Sequence, residues 1–245
     1  MLSFPPADAP SISTQPTLSS LPTRTVCGLE LDSCGGNGDD ECCSGFTCFD
    51  NFPLTGTDVC VMESSDLWFW GARSSIGYDG NTDVEQPTDI EERVYDASAG
   101  SEYTLVILSD RSPAVAGQID NLDSGYRGHF GISRDDLQNG VNELQRIPTF
   151  INLDGDTFNA PQMFKVYAGV ESSDGSGDLH SVFIDIDGNI YASGYNNRGQ
   201  LCLGDEGNRE FPTQIKMPNN ERAISAAVGI EFTLIVSDKN KLYGW

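Results

Sequence analysis

Two histidines, seven cysteines and a large excess of carboxylates are the side chains able to carry chemistry in these 245 residues. His129 and His180 would act as general bases or metal ligands. A base needs a nucleophile within reach, and neither a Gly-x-Ser-x-Gly elbow nor a phosphate-binding Gly-x4-Gly-Lys-Ser/Thr loop occurs. Asp185, Asp187 and Asn189 open like a calcium loop, but Ile190 stands where that loop needs glycine and Asn196 where it closes on glutamate. A hairpin turn is therefore the reading taken. Trp68, Trp70 and Trp245 offer faces on which a sugar would stack, yet they stand at the ends of recurring segments, which favours packing. No catalytic set, cofactor site or metal site is assembled, and a non-enzyme is expected.

Six of the cysteines, Cys27, Cys34, Cys42, Cys43, Cys48 and Cys60, fall in one Gly- and Asp-rich stretch spaced C-x6-C-x7-C-C-x4-C-x11-C. Such a stretch has almost no aliphatic core and folds only if stapled. Zinc would call for C-x2-C knuckles or histidines, which the stretch lacks, so three disulfides and an oxidising compartment are expected. Over residues 27–60 the central Cys-Cys pair and the loop sizes resemble the inhibitor cystine knot (knottin) family. That resemblance implies the pairs Cys27–Cys43, Cys34–Cys48 and Cys42–Cys60; spacing alone leaves the pairing open. The seventh cysteine, Cys202, is expected as a half-buried free thiol.

The net charge is −23, from 37 acids against 14 bases, which repels nucleic acid and anionic membrane. No apolar run is long enough for a transmembrane helix, so no membrane insertion is expected. Residues 1–26 are rich in Pro, Ser and Thr and read as a disordered linker, with the cysteine-rich module at 27–60 and a connector at 61–66. The start lacks the pattern of a signal peptide, and the chain stops at Tyr243-Gly244-Trp245 within a recurring segment. An incomplete chain is the expectation.

Residues 67–245 repeat a plan. Pro87, Pro148 and Pro212 each open a Pro-Thr-x-Ile segment. Gly100, Gly169 and Gly229 each follow a small or apolar residue and precede an apolar run, and Gly71, Gly117 and Gly194 each close a strand-like end. His180 has Tyr103 and Phe232 at the corresponding places, which favours a packing role. Turns are expected at Ser109–Ser112, 187–189 and 237–240, a possible helical turn near 135–144, and surface loops at 135–139 and 152–156. Leu105-Val106-Ile107-Leu108 and Leu234-Ile235-Val236 are apolar on both faces, as strands in a covered sheet are. Multi-strand units of this length predict a mainly β fold whose blades pack around an axis.

The order Gly194-Tyr195-Asn196-Asn197-Arg198-Gly199-Gln200-Leu201, then Pro212-Thr213-Gln214-Ile215, then Gly229-Ile230-Glu231-Phe232-Thr233-Leu234, then Leu242-Tyr243-Gly244-Trp245 resembles the regulator of chromosome condensation repeat. It departs from that pattern where Cys202 replaces a glycine. The resemblance implies a partial β-propeller, about three blades of seven. A protein-interaction scaffold, secreted or at the cell surface, with an unknown protein partner is the function expected. The alternatives are a nuclear or cytosolic nucleotide-exchange regulator of a small GTPase, and an enzyme or channel inhibitor acting through the knot.

Overall fold

The computed structural model describes the strand backbones of residues 32–33, 46–52, 57–62, 65–71, 84–92 and 141–143, and describes 93–101, 103–117, 128–133, 144–170 and 179–245 with their side chains. The linker expected at 1–26, the loop at 135–139, and Cys27, Cys34, Cys42 and Cys43 lie outside the described residues. Strands β1 (Asp32–Ser33), β2 (Phe46–Phe52) and β3 (Thr57–Met62) pair antiparallel in the order β1-β3-β2, with Cys48 directly opposite Cys60 in the register. The disulfides themselves lie outside the described side chains.

From residue 65 the chain builds successive antiparallel sheets. The first blade comprises β4 (Ser65–Gly71), β5 (Val84–Ala99), β6 (Tyr103–Leu108), β7 (Pro113–Gly117) and β8 (Val141–Arg146), in sequence order. A hairpin of β9 (Thr149–Ile151) and β10 (Thr157–Asn159) follows. The second blade contains β11 (Met163–Ala168), β12 (His180–Asp185), β13 (Ile190–Gly194) and β14 (Arg209–Ile215), and the β9–β10 hairpin extends it by pairing β9 parallel to β14. The third blade is β15 (Ala223–Val228), β16 (Thr233–Ser237) and β17 (Leu242–Gly244). The fold is mainly β. Among the described residues no helix is long and apolar enough to cross a membrane.

Alternation along β12 explains the stacking. Val182 and Ile184 join Phe164, Ala223 and Ile235 in a core between the second and third blades. Phe183, from the opposite face of the strand, joins Tyr103, Leu105, Ile107, Phe150 and Val166 between the first and second. A strand with cores on both faces must be apolar throughout, and β6 and β12 are buried at every position. Each such side chain contributes about 1.5–3 kcal/mol of burial.

Three expectations are corrected. The β16 strand is covered on one side only: Ile235 is fully buried, but Leu234 and Val236 are half-buried, because its alternate positions face away from the second blade. The helical turn expected near 135–144 is not formed at its described end, where Val141–Arg146 is strand β8 laddered to β7. Pairing with a neighbouring strand overrides local propensity there. The Pro-Thr-x-Ile segments also differ in placement. Pro87 lies within β5 and Pro212 within β14, whereas Pro148 falls between β8 and β9. A proline donates no ladder hydrogen bond, and beyond Pro148 the chain crosses from the first sheet to the second.

Turns form at all three expected hairpins. Each holds one residue in the left-handed region: Arg111 (φ 67°), Gly188 (φ 80°) and Asn240 (φ 55°). Arginine is an uncommon occupant of that region; here its guanidinium stacks 3.5 Å over the Tyr95 ring.

Candidate functional site at the blade junctions

Of the side chains that looked capable of chemistry, His129, His180 and Cys202 lie at the junctions between blades. Tyr103, at the start of β6, is fully buried. Its hydroxyl lies 2.9 Å from Ser181 Oγ on the second blade and accepts from the Gly169 N–H at 2.7 Å. Ser181 donates its own proton to the His129 carbonyl at 2.6 Å, and the Tyr103 hydroxyl proton is shared between Ser181 Oγ and the His180 carbonyl, 3.1 Å away. Burial pushes the Tyr103 phenol up to about 12.

The next junction repeats this arrangement one blade on. His180 Nε2 lies 2.9 Å from Thr233 Oγ1 on the third blade, and Thr233 donates to the Gln200 carbonyl at 2.8 Å. Because Thr233 directs its proton to Gln200, His180 must donate through Nε2, which leaves Nδ1 bare. Nδ1 is buried and finds no hydrogen-bond partner. Burial accordingly holds the imidazole down to about 4, and the ring is neutral at physiological pH. His129 and Gln200 hold corresponding positions, each offering a backbone carbonyl to a hydroxyl of the following blade. The His129 ring packs edge-on to Tyr103, with centroids 4.9 Å apart.

Main-chain bonds duplicate the linkage. The carbonyl of Arg111 accepts from the Met163 N–H at 2.8 Å, and the carbonyl of Gly188 accepts from the Ala223 N–H at 2.9 Å. Arg111 and Gly188 thereby anchor β11 and β15, each in the following blade. In the third copy, the equivalent of Tyr103 and His180 is Phe232, which is 51% exposed, contrary to the packing its place in the repeat implied.

The recurring glycines are explained by the same junctions. A Cβ at Gly100 would lie 2.5 Å from the Tyr103 ring, at Gly169 2.5 Å from the His180 carbonyl oxygen, and at Gly229 2.3 Å from the Phe232 ring. Gly194 closes β13 with φ +112°, and its Cβ would fall 2.4 Å from the Leu179 carbonyl oxygen. Gly71 and Gly117 end β4 and β7, and Gly199 occupies a left-handed turn with open space around it.

Cys202 departs from the half-buried expectation: it is 8% exposed, in the core between the second and third blades. It keeps a left-handed backbone (φ 60°) like its counterpart Gly131 (φ 70°). Burial pushes the thiol up to about 12. A thiol reagent is expected to leave Cys202 untouched in the folded protein and to titrate one thiol after unfolding without reductant; seven would refute the disulfides.

Asp185 forms the hairpin turn expected of it. Its Oδ1 accepts from the backbone N–H groups of Asp187 and Asn189, and its Oδ2 from Asn189 Nδ2 and Tyr191 OH. Among the described residues no three His, Cys, Asp or Glu side chains gather as a metal-ligating group. Trp245 is 38% exposed and leans on Tyr243 at 5.9 Å between centroids; the side chains of Trp68 and Trp70 lie outside the description.

Sequence reasoning missed two features. The hydroxyl-bearing residue after each aromatic or imidazole position, Thr104, Ser181 and Thr233, was visible as a repeat, but its receiving role was not. Glu221 was not singled out at all, yet its carboxylate gathers Lys241 Nζ, Ser237 Oγ (2.6 Å) and Tyr243 OH (2.9 Å), tying the entry of the third blade to β16 and β17. The Lys241 ammonium, with the two hydroxyls, holds that carboxyl down at about 2.

These junctions recur from one blade to the next. Residues 187–236 match the regulator of chromosome condensation (RCC1) repeat. The chain is 26% identical over 190 residues to the ultraviolet-B receptor UVR8 of Arabidopsis thaliana, covering 76% of this chain and 38% of that protein. It is 39% identical over 85 residues to the human probable E3 ubiquitin-protein ligase HERC3, covering 34% of this chain and 8% of that protein. Among solved structures it resembles human WBSCR16 (TM-score 0.55, 22% identity, 77% of this chain and 45% of that one). It also resembles Prp20p of Saccharomyces cerevisiae, whose binding to Gsp1p and histones is described (TM-score 0.51, 20% identity, 73% of this chain and 41% of that one). The chain thus spans less than half the length of these relatives, and the likeness to the solved structures is one of fold.

Proposed function

We propose that this chain is part of a protein-interaction scaffold, with blades that hold variable loops on a stiff frame. The observation carrying this reading is the relay of Tyr103 to Ser181 and His180 to Thr233: the buried polar groups best suited to catalysis are engaged in joining blades. What remains for recognition is the exposed loop chemistry between strands. We place the protein in an oxidising, extracellular or cell-surface setting on the strength of the six clustered cysteines.

A matched set of loop variants and the parent chain, each used as bait against a surface-protein display library, tests the reading. Partners whose recovery depends on exposed loops and survives substitutions at the junctions support it. A chain that accelerates nucleotide release from a small GTPase would replace it with the exchange-factor reading.

A further inference from the structure

Strand register divides the blades into inner and outer pairs. The inner pairs are β11–β12 in the second blade, β15–β16 in the third, and the end of β5 with β6 in the first. Ala97 lies opposite Val106, Val166 opposite Phe183 and Ala226 opposite Ile235. The outer pairs are β7–β8 and β13–β14. Ala114, Val115 and Gly117 lie opposite Arg146, Gln145 and Val141, and Tyr191, Ala192 and Gly194 lie opposite Gln214, Thr213 and Arg209. In both outer pairs the register shifts just before the glycine.

A third outer pair stands ahead of the first inner one. Trp68, Phe69 and Gly71 of β4 lie opposite Asp89, Thr88 and Val84 of β5, and the register again shifts before the glycine. The backbone of β4 and of residues 84–89 thus repeats β13–β14 position for position, with Pro87-Thr88 where Pro212-Thr213 falls. Yet β4 ends its sheet: among the described residues, no strand flanks it as β12 flanks β13. The third blade has the opposite gap. Beyond its inner pair it has only the three-residue β17, which ends the sheet with no counterpart of β14 among the described residues. Inner and outer pairs are equal in number along the chain but out of step by one.

The third blade also leaves its far face uncovered. Phe232 and Leu242 are exposed there, and Leu234 and Val236 are half-buried. Their counterparts in the second blade, His180, Ile190, Val182 and Ile184, are all fully buried. An open strand edge beside apolar surface is a template for further strands.

We propose that copies of this chain join head to tail, with β4 and residues 84–89 of one copy completing the third blade of another. β4 takes the place beside β16 that β13 takes beside β12, and the short β17 gives way to it. The composite blade β15-β16-β4-β5 then has the strand order of β11-β12-β13-β14. A second copy is the occupant because the half-blade that the third blade lacks is present in this chain, and is itself open on the side to be filled. The exchange gives up a three-residue ladder and gains a longer strand already paired to its outer neighbour. Head-to-tail contacts use two different surfaces, so copies add as a ring or an open chain. The assembly is independent of what the exposed loops recognise.

Cross-linking between full chains tests the register. In the composite blade Leu234 lies opposite Phe69 and Val236 opposite Leu67, as Val182 lies opposite Ala192 and Ile184 opposite Ile190. A mixture of Leu234→Cys and Phe69→Cys chains, treated with a short bismaleimide, is expected to give covalent dimer at a severalfold higher yield than the parent, either variant alone, or Leu234→Cys mixed with Ser65→Cys. Val236→Cys with Leu67→Cys supplies a second matched pair if a cooperative melt shows that the first has lost the fold. The parent chain is expected to sediment at increasing mass as its concentration rises. A monomer at every concentration, or a matched yield no higher than the mismatched one, overturns the proposal. So does cross-linking of Leu242→Cys with itself at a yield above that of the matched pair, which marks pairing of β17 with β17. Each of these results leaves the scaffold reading standing.

Discussion

Alanine in place of Gly194 is expected to destabilise the protein by at least about 3 kcal/mol, enough to consume much of a domain's stability. Two costs add at this position. The backbone is at φ +112°, where an L side chain is strained, and the new Cβ would lie 2.4 Å from the Leu179 carbonyl oxygen and 2.7 Å from the His180 Cα. Both neighbours are backbone at the entry of β12, so relief requires moving the strand that carries His180 into its junction. Gly199 supplies the control. It too is left-handed, at φ +79°, but nothing lies within 4 Å of its hypothetical Cβ. Gly199→Ala should cost only about 1 kcal/mol, the backbone term alone. Urea denaturation of the two variants beside the parent reads the difference; equal losses would mean that the close approach at residue 194 is unimportant.

Acid is expected to weaken the junction between the second and third blades through His180. Its pKa falls from an ordinary 6.5 to about 4 in the fold, because burial penalises the charged ring. The unfolded chain therefore takes up a proton that the folded chain refuses. This contribution to stability is fully present above pH 6.5, declines as pH falls from there, and is gone below about 4. Across that window it amounts to about 3 kcal/mol. Carboxylates titrate in the same range, so the quantity to measure is the difference between parent and His180→Gln stability as a function of pH. The gap should narrow on acidification. A constant gap would show that the imidazole keeps its ordinary pKa and is not buried.

The outline of the fold was legible in the sequence because period and turn chemistry are local. Leu105–Leu108 reads as a doubly covered strand and is buried throughout. The hairpin at Asp187-Gly188-Asn189 was legible because Asp185 needs only its neighbours to close it. Contacts between distant residues were not legible. The bond from His180 to Thr233 joins positions 53 apart, and the bond from Tyr103 to Ser181 joins positions 78 apart. The motif identified His180 as a packing residue but not what it packs on. Phe232 shows the converse: its motif position is the same as that of His180, yet it is half exposed, because burial depends on a neighbouring blade and not on the residue itself.

The central claim is that the residues resembling catalytic groups are joints between blades. A double-mutant cycle with His180→Phe, Thr233→Val and their combination measures it directly. His180→Phe places in the second junction the residue that position 232 already carries. If Nε2 and Oγ1 are coupled as their 2.9 Å separation indicates, the two losses will be non-additive by about 1 kcal/mol or more. Additivity within about 0.3 kcal/mol would contradict the claim, since the two side chains would then be buried side by side without holding the blades together.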